Sequence, residues 1–447
     1  MKKFRAGTLA ALLVVAACGS KDESSTPEPA ATAAPAAPAA TTAPVDSGAP
    51  ADTGAPDDTA APATEAPAVT GPPEITDSTS GVTDTTIRIG IHAPETIGGI
   101  DIGKILGLGD ITKLYWSTVN AAGGINGRTV EVVLGDDGYS ADVAQQACRD
   151  LVDQNVLFIS GTSGADQIIA CSNLAKEKQI PYMSLGVSEA GLVGEPGYRA
   201  MTMTYDQMSA LMAEYIVNEI ATPETPVAMV RYNSPSSEGA QTAFVDKMTE
   251  LGGNNVAADA VDKQGNPNEL TAECVKLQQA NVEVVFMILV PTVSTQFARL
   301  CQEQGFTPKF VTISNTLSCS TRPPLGVAEL KGCESFAAIR SDPANPLATE
   351  ANAAWAATYP DREAPDELVT FWGMFDVYRE ALLETGPDPT TLGFLNALDT
   401  MKYDNGLFNP IDFAGTKVAS DKIVVNTAND TDPYRTDIIS EWTSTFS

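Results

Sequence analysis

Two short stretches hold the residue types that take hold of a small anion. Gly161-Thr-Ser-Gly-Ala165 and Gly186-Val-Ser-Glu-Ala190 each follow a strand-like run, and helical spacing resumes after the first. Free backbone N–H groups at a helix start, with hydroxyls beside them, bind carboxylates. The plainer reading makes Thr162, Ser163 and Ser188 helix caps that accept from those same N–H groups, and the sequence leaves both open. Covalent catalysis has little to work with. His92 is the sole histidine, and Gly161-Thr-Ser-Gly164 lacks the Gly-x-Ser-x-Gly pattern of a nucleophile elbow. Asp136 and Asp137 are adjacent at a strand end, where neighbours point to opposite faces, which argues against joint acid–base work. Neither a P-loop nor a dinucleotide fingerprint occurs. These residues point to a binder without metal or cofactor. A cleft hydrolase using distant carboxylates is the less favoured alternative.

The elements that must position these loops alternate. Strands are expected at Thr86–Ile91, Thr129–Leu134, Val156–Ser160, Pro181–Leu185, Pro226–Arg231, Asn255–Ala260, Glu283–Leu289, Lys309–Ile313 and Ser335–Ile339. Several are unbroken apolar runs, as strands buried on both faces are. Helices fall between them, with Ala144, Ala147, Cys148 and Leu151 on one stripe of the first cysteine-bearing helix. Past residue 340 the pattern turns helical at Ala348–Tyr359, Leu368–Glu384 and Thr391–Lys402. Strand–helix alternation of this kind is the signature of an α/β protein with parallel, doubly wound sheets.

Besides Cys18 the chain has Cys148, Cys171, Cys274, Cys301, Cys319 and Cys333. Two units share one layout: a helix with a cysteine at its middle, a strand, and a second such helix. Right-handed crossovers put successive helices side by side on one face. The expected disulfides are therefore Cys148–Cys171, Cys274–Cys301 and, by remainder and proximity, Cys319–Cys333. Thiolate metal binding is the rival, and it is weak without a Cys-x-x-Cys pair and with one histidine.

The run Asn120-Ala-Ala-Gly-Gly-Ile-Asn-Gly-Arg128, placed after the opening strand Thr86-Ile-Arg-Ile-Gly-Ile91, resembles the start of the branched-chain amino-acid-binding family, the type I solute-binding proteins of ABC importers. Trp372 through Leu398 and Asn405-Gly-Leu-Phe-Asn-Pro-Ile-Asp-Phe413 resemble its later segments. The resemblance implies two α/β lobes joined by about three hinge crossings, near Met203–Asp206, near Ile339–Asp342 and near the C-terminus, with a ligand in the gap. The lobes would be 84–204 with 341–420, and 205–340 with 421–447. By position, Ser163 and Gly164 would hold a ligand's carboxylate and amine together with Val187 and Ser188. Asn315 stands near the place of the family's acidic group. His92 and Glu95, in the first strand-to-helix loop, would reach the cleft, and Tyr205 and Trp372 would wall it. The second lobe departs from the family: Ser234-Pro-Ser-Ser-Glu-Gly239 replaces a Tyr-Gly-x-Gly turn, and Val290-Pro291-Thr292 stands where another Tyr often does.

The N-terminal region reads as export and tethering. Lys2, Lys3 and Arg5 precede a short apolar stretch, Leu9 to Ala17, so residues 1–17 form a signal peptide. Val15-Ala16-Ala17-Cys18 resembles a bacterial lipobox, which implies lipidation of Cys18. Residues 18–83, rich in Ala, Pro and Thr, form a disordered spacer. The net charge of −30 excludes the basic footprint of a nucleic-acid binder. The expected partners are a small solute and the permease and ATPase of an importer, with the membrane touched through N-terminal lipid alone. The expectation is a monomer on the extracytoplasmic face of the cell membrane. The alternative is a lipoprotein that presents its ligand to a separate sensor.

Overall fold

The computed structural model describes residues 75–97, 100–162, 164–185, 192–313, 319, 328–340, 342–415, 417–428 and 436–446. Ile87, Ile89 and Ile91 alternate along β1 (Thr86–Ala93) and are fully buried on one face of its sheet. On the other face, Leu151, Val156 and Ile159 close over Gly90. A strand covered on both faces in this way belongs at the centre of a parallel sheet. It pairs in parallel with β2 (Thr129–Asp136) and β3 (Ile159–Gly161), and β4 (Tyr182–Ser184) and β5 (Tyr198–Ala200) extend the order to β2-β1-β3-β4-β5. Between these strands run α1 (Leu108–Ala121), α2 (Ala141–Asp153) and α3 (Ala165–Glu177).

A second sheet repeats the plan. After α4 (Tyr205–Tyr215) come β6 (Val227–Tyr232), α5 (Pro235–Glu250), β7 (Asn255–Val261), α6 (Pro267–Gln279), β8 (Val284–Ile288), α7 (Pro291–Glu303), β9 (Lys309–Ile313) and β10 (Glu334–Ala337). The parallel strands take the order β7-β6-β8-β9-β10, the same winding as in the first sheet. The chain then returns through α8 (Pro346–Thr358), α9 (Leu368–Glu384) and α10 (Thr391–Thr400), whose apolar faces pack with α1 and β1. It ends in β11 (Val424–Ala428), which adds antiparallel to β10, and β12 (Thr436–Ile438), which adds antiparallel to β11.

The cores are separate. Met201 packs in the first lobe and Met203 in the second; Phe336 lies in the second and Ile339 in the first; Ala419 lies in the first and Ile423 in the second. Three stretches therefore cross between two lobes. The first crossing ends where Thr204 and Gln207 form a reciprocal capping box that starts α4.

The cysteines pair as the layout suggests. Cys148–Cys171 ties α2 to α3 with a Cα separation of 5.7 Å, and Cys274–Cys301 ties α6 to α7 at 5.0 Å. Cys319–Cys333 spans 5.4 Å in the second lobe. Several expectations are corrected. The spacer does not run to residue 83: Ile75 is buried where a side chain on Gly197 would go, and Ser78 exchanges hydrogen bonds with Thr391. Two apolar residues, Ile75 and Val82, and a few hydroxyls dock that stretch. The parallel core of the second sheet carries two antiparallel strands at one edge, β11 and β12, which lie beyond the strands read from the sequence. The strand β5 and the helices α4 and α5 were not anticipated; Ser234-Pro-Ser-Ser-Glu-Gly239 is largely the first turn of α5, with Pro235 at its start. Cys18 and the signal sequence lie outside the described residues.

Candidate functional site

In doubly wound sheets a ligand sits beyond the carboxyl ends of the strands, where the winding changes direction. That point lies between β1 and β3 in the first lobe and between β6 and β8 in the second. Side chains from loops at these strand ends meet across the gap. Asp166, in the first turn of α3, accepts a hydrogen bond from Ser234 Oγ at 2.6 Å. Its other oxygen pairs with Lys263 Nζ at 2.5 Å. Ser234 follows β6, and Lys263 follows β7. The Lys263 ammonium also lies 5.1 Å from the centre of the Tyr139 ring and 5.4 Å from that of Tyr232. Each distance is within cation–π range. Tyr139 comes from the loop after β2, and Tyr232 ends β6. One carboxylate and two aromatic faces, drawn from both lobes, thus surround one ammonium, and the Ser234 hydroxyl holds the carboxylate from its other side. Burial, with the nearby charges of Tyr205, Asp137 and Asp166, pushes the Tyr139 phenol well above its usual range, so it stays neutral.

The start of α3 borders this cage. Gly164, its N-cap, has φ +83°, and the Oε1 of Gln167 occupies the space a Cβ would need. Glycine is the residue this backbone accepts there. Gln167 is fully buried, and neither its amide oxygen nor its amide nitrogen has a hydrogen-bond partner. Leaving such a group unsatisfied costs about 1–3 kcal/mol.

Beneath the cage lies a buried polar floor. His92 Nδ1 is 2.8 Å from Asp137 Oδ2, and its Nε2 is 2.7 Å from the Tyr182 hydroxyl. All three residues are buried. The second Asp137 oxygen accepts from the Tyr139 backbone N–H at 3.0 Å. The chain Tyr182–His92–Asp137 therefore holds the loop that carries the Tyr139 ring. A side chain on Gly161 would collide with the Tyr182 hydroxyl and with His92 Nε2, which explains the glycine at the end of β3. Cys148 and Cys171 lie close enough to His92 to suggest a metal cluster, but their sulfurs are joined to each other. Neither is then a thiolate ligand.

These placements revise the sequence-based assignments. His92 does not reach the gap; both ring nitrogens are engaged in the floor. Glu95 caps α1, accepting from the Gly109 N–H at 2.9 Å; burial pushes its carboxyl up while that hydrogen bond pulls it down. Trp372 is no wall. It is fully buried in the first core, edge-on to Tyr115 at 5.0 Å. Asp136 and Asp137 do part company: Asp136 turns to the backbone of Glu95 and Thr96. Tyr205 opens α4 just past the first crossing and packs on the second core. Gly164 stands at the start of α3 as expected. Ser163, Val187, Ser188 and Asn315 lie outside the described residues. Sequence reasoning missed Tyr139, Asp166, Gln167, Tyr232 and Lys263. The signal for Asp166 and Gln167 was their place in the first turn after a glycine-rich loop; Lys263 had none, since its partners come from distant segments.

Relatives bear on what this geometry serves. A curated amino acid binding protein of Pseudomonas aeruginosa is 25% identical over 247 residues, 52% of this chain and 61% of that protein. The chain thus spans about three fifths of that relative's length. Among solved structures, a fatty acid ABC transporter substrate-binding protein from Thermomonospora curvata superposes with a TM-score of 0.71 at 19% identity, covering 82% of this chain and 94% of the other. A branched-chain amino acid ABC transporter protein from Thermus thermophilus, with bound valine, gives 0.68 at 16% identity, covering 81% and 97%. These likenesses establish the fold. The sequence model of the periplasmic binding protein family matches residues 86–430. By that match and by its two like-wound lobes, the chain belongs to the periplasmic binding protein family and has the type I fold.

Proposed function

We propose that this protein is the extracytoplasmic solute-binding subunit of an ABC importer, held to the cell membrane by lipid on Cys18. It captures a small carboxylate-bearing or polar solute between its lobes and hands it to a permease. It is a binder, not an enzyme. The observation that carries this reading is the convergence of both switch points on one gap, with Asp166 and Tyr139 from one lobe meeting Ser234, Tyr232 and Lys263 from the other. The names of the relatives support the solute class. Valine and fatty acids share a carboxylate joined to an apolar body, and amino acids in general share the carboxylate. The N-terminal end of α3, with the helix dipole behind it, suits the carboxylate. Ser163, Gly164, Val187 and Ser188 are its proposed contacts, with Asn315 on the opposing lobe.

A thermal-shift panel of amino acids, amides and organic acids tests the reading. A solute bound by the folded form at a hundred times its Kd adds about 2.7 kcal/mol of stability. Ser163→Ala and Ser188→Ala are expected to weaken binding of the active solute with little change in melting temperature. A silent panel would count against the function, and unchanged affinity in both variants would remove these loops from the site.

A further inference from the structure

The cage around Lys263 has the composition of a receptor for an ammonium group: a carboxylate, itself held by the Ser234 hydroxyl, and the faces of two tyrosines. Its occupant is the protein's own lysine. We infer that Lys263 is a built-in ammonium that sets the specificity of the gap, so that the preferred solute is an organic carboxylate without an amino group.

Three observations lead there. First, the cage is taken. A ligand ammonium entering it must displace Lys263 or stand beside a like charge, and like charges in one small site repel. Second, Asp166 lies in the first turn of α3, two residues beyond Gly164. Unpaired, its carboxylate would oppose any ligand anion at that helix start. The bond to Lys263, with both side chains about one-fifth exposed, cancels that charge and leaves the N-terminal field of the helix to the ligand. Lys263 thus also acts as a positioning residue, through Asp166. Third, Gln167 is fully buried beside the same helix start with both amide atoms unpartnered. An amide offers a donor and an acceptor, and a carboxylate takes the donor without bringing a second cation.

This inference rests on the proposed solute-binding function and narrows it. The test uses the full-length protein and matched probes: isocaproate, L-leucine and isopentylamine, then 3-phenylpropanoate, L-phenylalanine and phenethylamine. Within each set the apolar body is kept while the charged groups change. Titration calorimetry on the wild type is expected to show the carboxylates binding at least about tenfold tighter than the matching amino acids, with the amines silent. Lys263→Gln should close or reverse that gap, because the cage becomes open to a ligand ammonium. Lys263→Arg, which keeps the charge, should retain the wild-type order, and melting curves establish that each variant is folded. A wild type that prefers the amino acids, or a Lys263→Gln variant with unchanged selectivity, overturns the inference and leaves the solute-binding function standing. Silence of all six probes at millimolar concentration takes down both.

Discussion

The two lobes share a winding order and a helix-to-helix disulfide, yet their interiors differ where they face the gap. Below its switch point the first lobe buries hydrogen-bonding side chains: His92 between Asp137 and Tyr182, and Ser160 with the Tyr378 hydroxyl at 3.1 Å. The second lobe fills the corresponding strands with Met229, Val230, Phe286 and Met287, all fully buried, and Phe244 packs on Phe286. Apolar packing fixes position through shape and tolerates small adjustments. A hydrogen-bonded chain also fixes direction. The first lobe thus presents an oriented platform, with Tyr139 held through Asp137. The second lobe presents Lys263 on a loop. One side of the gap is oriented by a buried hydrogen-bonded chain, and the other by an apolar core with Arg231 bonded at the end of β6.

Breaking the floor should have the largest effect. Asp137→Ala leaves the buried imidazole without its carboxylate and frees the Tyr139 loop. A loss of about 3 kcal/mol is expected in denaturant melts, together with weaker solute binding. The second lobe has its own polar group at the end of β6, where buried Arg231 donates to Gln241, to Ser237 and to the Tyr232 carbonyl, so a stability loss confined to the first lobe shows that the His92 floor acts on its own side. Losing little stability would mean that the floor is ornamental.

Removing Cys274–Cys301 by paired serine substitution should cost about 3 kcal/mol in the chain-entropy account. Removing Cys148–Cys171 should cost a similar amount, since the loops span 27 and 23 residues. Hydrogen exchange would assign each loss to its own lobe. A loss spread equally over both would show that they do not unfold as separate units.

A smaller, pH-dependent difference belongs to the second lobe. Burial, and then the charge of Asp259, pushes the Glu273 carboxyl up from 4.5 to about 7. For an acid raised in this way, the stabilising contribution is full below pH 4.5 and is lost as pH rises through 7. Glu273→Gln should match the wild type at pH 4 and exceed its stability by about 1 kcal/mol at pH 8, the figure discounted for solvent screening. Equal stability at both pH values would contradict the shift.

The smallest stability effect is expected for Asp166→Asn, which weakens one partly exposed pair by under about 1 kcal/mol. Its consequence is conformational: faster exchange at the gap without a matching fall in melting temperature.

How much of this was legible in the sequence depended on whether the signal was local. Lys309–Ile313 and Leu368–Glu384 were placed to the residue, because an apolar run or a long helical stripe needs no distant partner to be read. The disulfides were legible because the repeated helix–strand–helix layout sets cysteines at matching heights. Tyr198–Ala200 escaped, being a three-residue strand with Arg199 at its centre. That arginine is buried by a bidentate pair with Asp399, which no local pattern announces. The capping box of Thr204 and Gln207 and the proline opening α5 were local signals that passed unread. Within the site, Gly164 was recoverable from a glycine-rich loop ahead of a helix. Lys263 sits in an ordinary polar loop, and its meaning comes from Tyr139, Asp166 and Tyr232, assembled by the fold.

Hydrogen exchange on the full-length protein, with and without a saturating solute from the probe panel, tests most directly whether the lobes close on it. The account predicts slowed exchange on both sides of the gap at once, around residues 137–140 and 164–167 in one lobe and 232–237 and 262–266 in the other, with the outer helices α6 and α8 unchanged. Protection confined to one lobe, or appearing away from these segments, would contradict it.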